Sequence, residues 1–347
     1  LMSELAADTL LLPPVKDKKI GSWSYAAGRI RSLEVNLFGK SGLDRLYVAD
    51  NEQDLRLLMQ EHHYPQEEFN AALRHEKVEA FRLLEQVAPQ DGYRVALMLF
   101  ADIHNLKFML KENLKRDNRR SLDEMSHLLL QPSLVDPARL NELICGTRDR
   151  SDGPGWVIPL IEAGEKAYSE SYEAAAIDRA LDKMAHRLAA KMADRLNNDW
   201  FIRYFALQRD LVNLETLLRV RSRSVSETVY KDSLLPSGLI SVGLWESLYD
   251  AEDERISMAF VGTPYEILAA YPEEYNDGGQ AANFVRDRDR ILIDHIEKGR
   301  HVLSGPELVL SYVLAREYEI KNLRIVDAAI RNHLSLEQRN ALRRDLW

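Results

Sequence analysis

The sequence predicts an all-helical protein in which one helical unit is used three times. The first observation is a recurring run of acid, apolar residue, any residue, Asn and Leu. It appears at Asp102/Asn105/Leu106, Asp210/Asn213/Leu214 and Glu319/Asn322/Leu323. The second is the interval: the asparagines lie 108 and 109 residues apart, domain-sized and far above the ~20 to 50 residues of a solenoid repeat. The third is that helical periodicity accounts for nearly every long segment, with no convincing run of alternating strand residues. The expected units are residues 21–120, 121–232 and 233–347, preceded by a tail over residues 1–20.

Each copy of the signature reads as a helix with one apolar stripe. Leu99, Ile103, Leu106 and Leu110 share a face at 3.6 residues per turn, and Leu207, Leu211, Leu214 and Leu218 repeat it. The acid and the Asn are three apart and sit on the border of that stripe, where a half-buried polar side chain must find a partner. Asparagine is a mediocre helix former, so three mid-helix copies need a reason beyond propensity. An interhelical hydrogen bond that fixes packing is the expected reason. Carboxylate and amide oxygens also suit a hard cation, but each copy offers two ligands and no Asp-Asp-x-x-Asp cluster supplements them.

Composition narrows the function. The 347 residues are 46% hydrophobic and 29% charged, enough for two or three domains with full cores. A formal charge of -9 disfavours a sequence-independent hold on phosphate backbones, so nucleic acid is not an expected partner. The longest apolar runs, Leu10-Leu-Leu12 and Val95-Ala-Leu-Met-Leu-Phe100, fall far short of the ~20 residues that cross a bilayer. A lone Cys145 allows neither an internal disulfide nor a multi-cysteine metal site.

In chain order, the tail has its positive charges, Lys16-Asp-Lys-Lys19, after its short apolar part, the reverse of a signal peptide. Unit one opens at Ser22-Trp-Ser-Tyr25, and Tyr25, Ile30, Leu33 and Leu37 suit an amphipathic helix flanked by arginines. A short helix is expected from Asp54 to Gln60, a longer one from Phe69 to Val87, and a break at Pro89-Gln-Asp-Gly92 before the first signature. Unit two opens at Gln131-Pro-Ser133 and Val135-Asp-Pro137, with a short helix from Pro137 to Cys145 ending at Gly146-Thr147. The loop from Arg148 to Trp156 is rich in charge and glycine but lacks the lysine and spacing of a phosphate cradle. From Glu170 to about Arg221 the chain reads as helix, broken near Asn197-Asn-Asp199, and Ala174, Ala185, Ala189 and Ala193 would let partner helices come close. Unit three opens at Leu235-Pro-Ser-Gly238. Its Gly262-Thr263 echoes Gly146-Thr147 and, more loosely, His62-His63, giving the units a second shared landmark ahead of the signature helix. The acidic run Pro272 to Gly279, a helix from Ala281 to Gly299, and a last helix entered at Ser304-Gly-Pro-Glu307 complete the chain.

Chemistry-bearing motifs are scarce. The close histidines, His62-His63 and His295 with His301, lack zinc-ligand spacing. Neither G-x-x-x-x-G-K-[ST] nor G-x-G-x-x-G occurs, and no nucleophile stands in a recognisable setting. No metal, cofactor or catalytic residue is therefore expected. Arg339, Arg343 and Arg344 could hold an acidic partner, although such a cluster is more often a solvated face complementing a helix dipole.

Two stretches carry a family resemblance. Ser304-Gly-Pro-Glu-Leu-Val-Leu-Ser-Tyr-Val-Leu-Ala-Arg-Glu-Tyr-Glu-Ile-Lys-Asn-Leu-Arg-Ile325 resembles the C-terminal hallmark of the C subunit of V/A-type rotary ATPases, called the d subunit in eukaryotes. Tyr25-Ala-Ala-Gly-Arg-Ile-Arg-Ser-Leu-Glu34 resembles its N-terminal motif, and Asp54-Leu-Arg-Leu-Leu58 before Tyr64 also fits. The likeness runs from about residue 22 to the end and departs from the family at the tail, at the Arg148 to Trp156 loop and at Val326-Asp-Ala-Ala329. It implies three similar helical bundles around a pseudo-threefold axis, forming a funnel. It further implies a non-catalytic central-stalk subunit, one copy per complex, peripheral on the cytoplasmic face of the membrane, between the central-shaft subunits of the ATPase head and the proteolipid ring. An all-helical enzyme using a divalent cation, or a generic helical scaffold, are the competing readings.

Overall fold

A computed structural model describes residues 11–18, 21–115 and 118–347. Among the described residues the regular structure is entirely helical, with no strand. Of the tail, residues 1–10 and 19–20 lie outside the described residues, while Lys18 is fastened at both ends. Its N–H donates to Pro89 C=O at 2.9 Å, and its Nζ donates to the carbonyls of Glu85 and Gln86.

The chain forms two compact units. The first draws on Gln90–Asp210 and Lys231–Val242 together with the described part of the tail up to Asp17; the second draws on Lys18–Pro89, Leu211–Tyr230 and Gly243–Trp347. The helix Asp199–Ser222 gives its first half to one and its second half to the other.

The first unit is a bundle of long helices. Gly92–Asn113 carries the first signature and packs on Ala174–Leu196, which also packs on Ile158–Ser171. Ala185, Ala189 and Ala193 are buried in these contacts, as their small side chains predict, and so is Ala176, whereas Ala174 at the start of the helix is exposed. Close approach is needed elsewhere too: a Cβ at Gly164 would lie 2.7 Å from Leu110 Cδ1. The break expected near Asn197 is real and comes from Asn197 itself, whose φ of 51° ends the helix in the left-handed region that Asn tolerates better than most side chains. The helix Ile158–Ser171 has no counterpart in the sequence reading.

The second unit holds the third signature helix, Pro306–Arg331, against Phe69–Val87, Gln280–Arg300 and Trp23–Leu33. Its core joins Leu43, Leu46, Tyr47, Leu55, Leu73, Ile293, Leu323 and Val326. The short helix expected from Asp54 runs Glu52–Glu61, because Asn51 Oδ1 accepts the Asp54 N–H at 3.0 Å and so caps the helix earlier. A further short helix, Gly39–Tyr47, precedes it. In the first helix Ile30 is buried as expected, whereas Tyr25 is 66% exposed.

The second landmark has a backbone basis. His63, Gly146 and Gly262 have φ of 65°, 72° and 72°. Each reverses the chain after a short helix through the left-handed region, at no steric cost where the residue is glycine. Histidine fills that role in unit one, which is why the sequence echo there is loose.

Inside the first unit, His186 packs edge-on against Phe100 with ring centroids 5.1 Å apart. Burial, with Arg209 and Lys107 nearby, pushes it down to about 3. A depressed histidine stabilises the fold fully above its unfolded value of about 6.5, and that stability is lost as pH falls toward the folded value. Between pH 7 and pH 4 this one group should cost roughly 3 kcal/mol. Urea unfolding across that range should therefore show His186→Leu losing markedly less stability than the wild type; parallel losses would contradict the assignment.

Candidate functional site

The three signature acids do one repeated job: they bind the backbone of the segment that opens a short helix. A segment between helices leaves N–H and C=O groups without helical partners, and burying them unpaired is costly. Asp102 takes two of them, accepting Leu134 N–H at Oδ2 and Val135 N–H at Oδ1, both at 2.8 Å, just ahead of Pro137–Cys145. Asp210 does the same with one oxygen, accepting Leu239 N–H at 2.6 Å and Ile240 N–H at 3.1 Å ahead of Val242–Ser247. Glu319 accepts Phe38 N–H at 2.7 Å ahead of Gly39–Tyr47. The third acid is one methylene longer, and its partners include side chains as well as backbone. Tyr64 Oη donates to it at 2.7 Å, and the Arg316 guanidinium bonds the same carboxylate.

The asparagines clamp the same kind of backbone. Asn105 donates to Leu130 C=O at 3.0 Å and accepts Leu130 N–H at 2.7 Å. Asn322 donates to Arg344 C=O at 2.8 Å and accepts Arg344 N–H at 3.0 Å, while Tyr47 Oη donates to its Oδ1 at 2.6 Å. In both, the side-chain amide pairs with one residue's N–H and C=O as a neighbouring strand would. The register agrees: Leu130 lies nine residues after the capping-box Ser121, and Arg344 nine after the capping-box Ser335. The partners expected for Asn were neighbouring helices; the observed partners are mainly the non-helical segments, whose polar backbone has the greater need. Asn213 is fully buried.

Two features of these sites escape a residue-by-residue reading. The openers Gln131-Pro-Ser133 and Leu235-Pro-Ser-Gly238 adjoin the residues being held, Leu130, Leu134 and Val135 in one case and Leu239 and Ile240 in the other. Gly238 is glycine for a reason of space, since a Cβ there would lie 2.4 Å from both Ala206 C=O and Asp210 Oδ1. Burial is the other. It pushes the Asp102 carboxyl up to about 7 against the opposing pull of its two N–H bonds.

The C-terminal arginines are engaged within the second unit. Arg339 donates to Leu334 C=O at 3.0 Å and Ala49 C=O at 2.6 Å. Arg344 donates through Nε to Asp289 at 2.7 Å, and both residues are buried. Arg343 meets Asp44 at 2.6 Å and covers the Tyr47 ring at 5.6 Å. A polar cleft of ≈ 380 Å³ beside them is lined by both signs of charge, Arg286, Arg290 and Arg343 with Asp287, Asp294 and Glu297. Among the described residues no group of three or more His, Cys, Asp or Glu side chains could hold a metal ion.

A model of the family described as ATP synthase (C/AC39) subunit matches residues 26–342. The chain belongs to that family. Among curated proteins it is similar to the C subunit of the V-type sodium ATPase of Enterococcus hirae, 23% identical over 322 residues that cover 89% of this chain and 94% of the relative. It is also similar to the C subunit of the A-type ATP synthase of Methanocaldococcus jannaschii, 23% identical over 93% of this chain and 86% of the relative. The corresponding A-type ATP synthase protein of Methanobrevibacter smithii is 25% identical over 73% of this chain and 68% of the relative. As a C-type member of the V/A family the chain is a non-catalytic part of a rotary ATPase complex, and the three backbone-binding sites are its own scaffold.

Two substitutions probe that scaffold. Gly238→Ala should destabilise the protein by roughly 1–3 kcal/mol, since a backbone carbonyl and a bonded carboxylate cannot both retreat. Glu319→Gln should cost roughly 1–3 kcal/mol, because the buried Arg316 loses its nearest carboxylate and keeps only the more distant Glu76 at 4.0 Å. Equilibrium denaturation gives both values, and a neutral result at either site would remove it from the scaffold.

Proposed function

We propose that this subunit joins the central shaft of the ATPase head to the proteolipid ring in the membrane, one copy per complex, on the cytoplasmic face. The match of residues 26–342 to the family carries the proposal, and the geometry supports it in two ways. A part that transmits torque needs stiffness, and three carboxylates binding buried backbone at helix-opening segments provide it. It also needs to meet the membrane rotor from outside: among the described residues no helix is long and apolar enough to cross a membrane.

We read residues 21–120, 121–232 and 233–347 as three equivalent units around a pseudo-threefold axis. Supporting this, the acid of the first unit holds the opening segment of the second and the acid of the second holds that of the third. The acid of the third holds Phe38, in the first.

Removing an adaptor separates two activities that are otherwise locked together. Vesicles carrying the complex without this subunit should hydrolyse ATP yet fail to move ions, and the purified protein added back should restore transport. Ion transport at the normal rate in its absence would refute the coupling role.

A further inference from the structure

The three short-helix segments share a backbone plan but differ sharply in charge. Residues 137–157 carry three acids and three arginines, and residues 39–68 carry seven acids against three Lys or Arg. Residues 242–279 carry nine acids against the single base Arg255, a formal -8 in a chain whose total is -9. Among the described residues, Asp253 alone of those nine is in an ion pair, with Arg221 at 2.7 Å.

The same segment turns large apolar side chains outward. Leu244, Met258, Val261 and Ile267 are 39%, 64%, 52% and 46% exposed. They stand on one buried framework rather than singly on separate elements. Leu244 adjoins Trp245, which is fully buried and packs 5.9 Å from Phe260. Met258 and Val261 flank Phe260 within one turn, with Val261 N–H on Met258 C=O at 3.4 Å. Ile267 follows Glu266, whose Oε2 accepts Gly262 N–H at 3.3 Å and ties its turn to theirs. Scattered exposed apolar residues are ordinary, but four borne by one buried framework, in a segment of formal charge -8, suit a contact surface.

We propose that this surface docks an amphipathic helix whose apolar stripe is flanked by Lys and Arg. The four apolar side chains take the stripe, and the acidic border selects and steers the basic flanks. That the helix belongs to another protein of the same complex rests on the coupling role above; its chemistry rests on the side chains named here.

The test uses the full-length protein and a fluorescent helical peptide of leucine and lysine in amphipathic register. Its controls are a scrambled peptide of the same composition and one with glutamate in place of lysine. The leucine-lysine helix alone should bind. Met258→Ser, Val261→Ser and Ile267→Ser combined should weaken it by roughly tenfold or more, while keeping the wild-type melting temperature, because the three side chains are half exposed or nearly so. Glu254→Gln with Glu273→Gln should weaken binding and flatten its salt dependence. Equal binding of the scrambled peptide, or wild-type affinity in the triple variant, would overturn the proposal. The vesicle assay separates the two readings. A triple variant that restores ion transport as well as wild type refutes the docking surface and leaves the adaptor role intact. Wild-type protein that restores nothing refutes the adaptor role and leaves the peptide result standing.

Discussion

A carboxylate on a long helix holding the N–H groups of a segment that is neither helix nor strand is the interaction on which this structure depends. Backbone between helices brings unpaired donors wherever it is buried, and a domain of long helices has no sheet to receive them. Asp102, Asp210 and Glu319 answer that need from the border of an apolar stripe, where the helix is already anchored by its leucines. The low polarity around each bond raises the cost of losing it. Asn105 and Asn322 add direction: an amide that both gives and takes at one residue fixes the height of the segment along the helix as well as its closeness.

The consequence for packing is that short helices are placed by polar bonds and held by apolar ones. Val135, Ile240 and Phe38 are buried beside the N–H groups that the acids take, so each opening segment is fastened on two sides. Small residues then complete the fit where backbones crowd, as at Gly238 and along the alanines of Ala174–Leu196. The buried polar groups are thus spent on holding backbone in place rather than on lining a pocket. The same holds for Arg339 and Arg344, which tie the C-terminal segment to its own unit.

Much of this was legible in the sequence because it is written in periodicity. The leucine stripes marked the long helices, Asn197 marked a break, and Asp102, Asp210 and Glu319 stood out as three acids in like settings. Proline and serine at 132–133 and 236–237 adjoin the held residues. What was not legible is the pairing. Nothing local in Asp102 points to a backbone N–H 32 residues onward, and Glu319 reaches across 281. Tyr47, Tyr64 and Arg316 escaped for the same reason, since their roles exist only after distant helices meet. The helix Gly39–Tyr47 was missed because glycines and a lysine at its start mask a stripe of only Leu43, Leu46 and Tyr47.

The bond from Phe38 to Glu319 has a temporal meaning as well as a spatial one. Its two ends are separated by 281 residues, and a ribosome adds roughly 5–20 residues per second. For a span on the order of 15–60 seconds the segment ahead of Gly39–Tyr47 is exposed with its acceptor not yet made, as is the face of Leu43 and Leu46 that later meets Leu323 and Val326. The pairs at Asp102 and Asp210 close over about 30 residues and need no such wait. During synthesis the acceptors at Asp102 and Asp210 therefore meet their backbone partners well before Glu319 can meet Phe38.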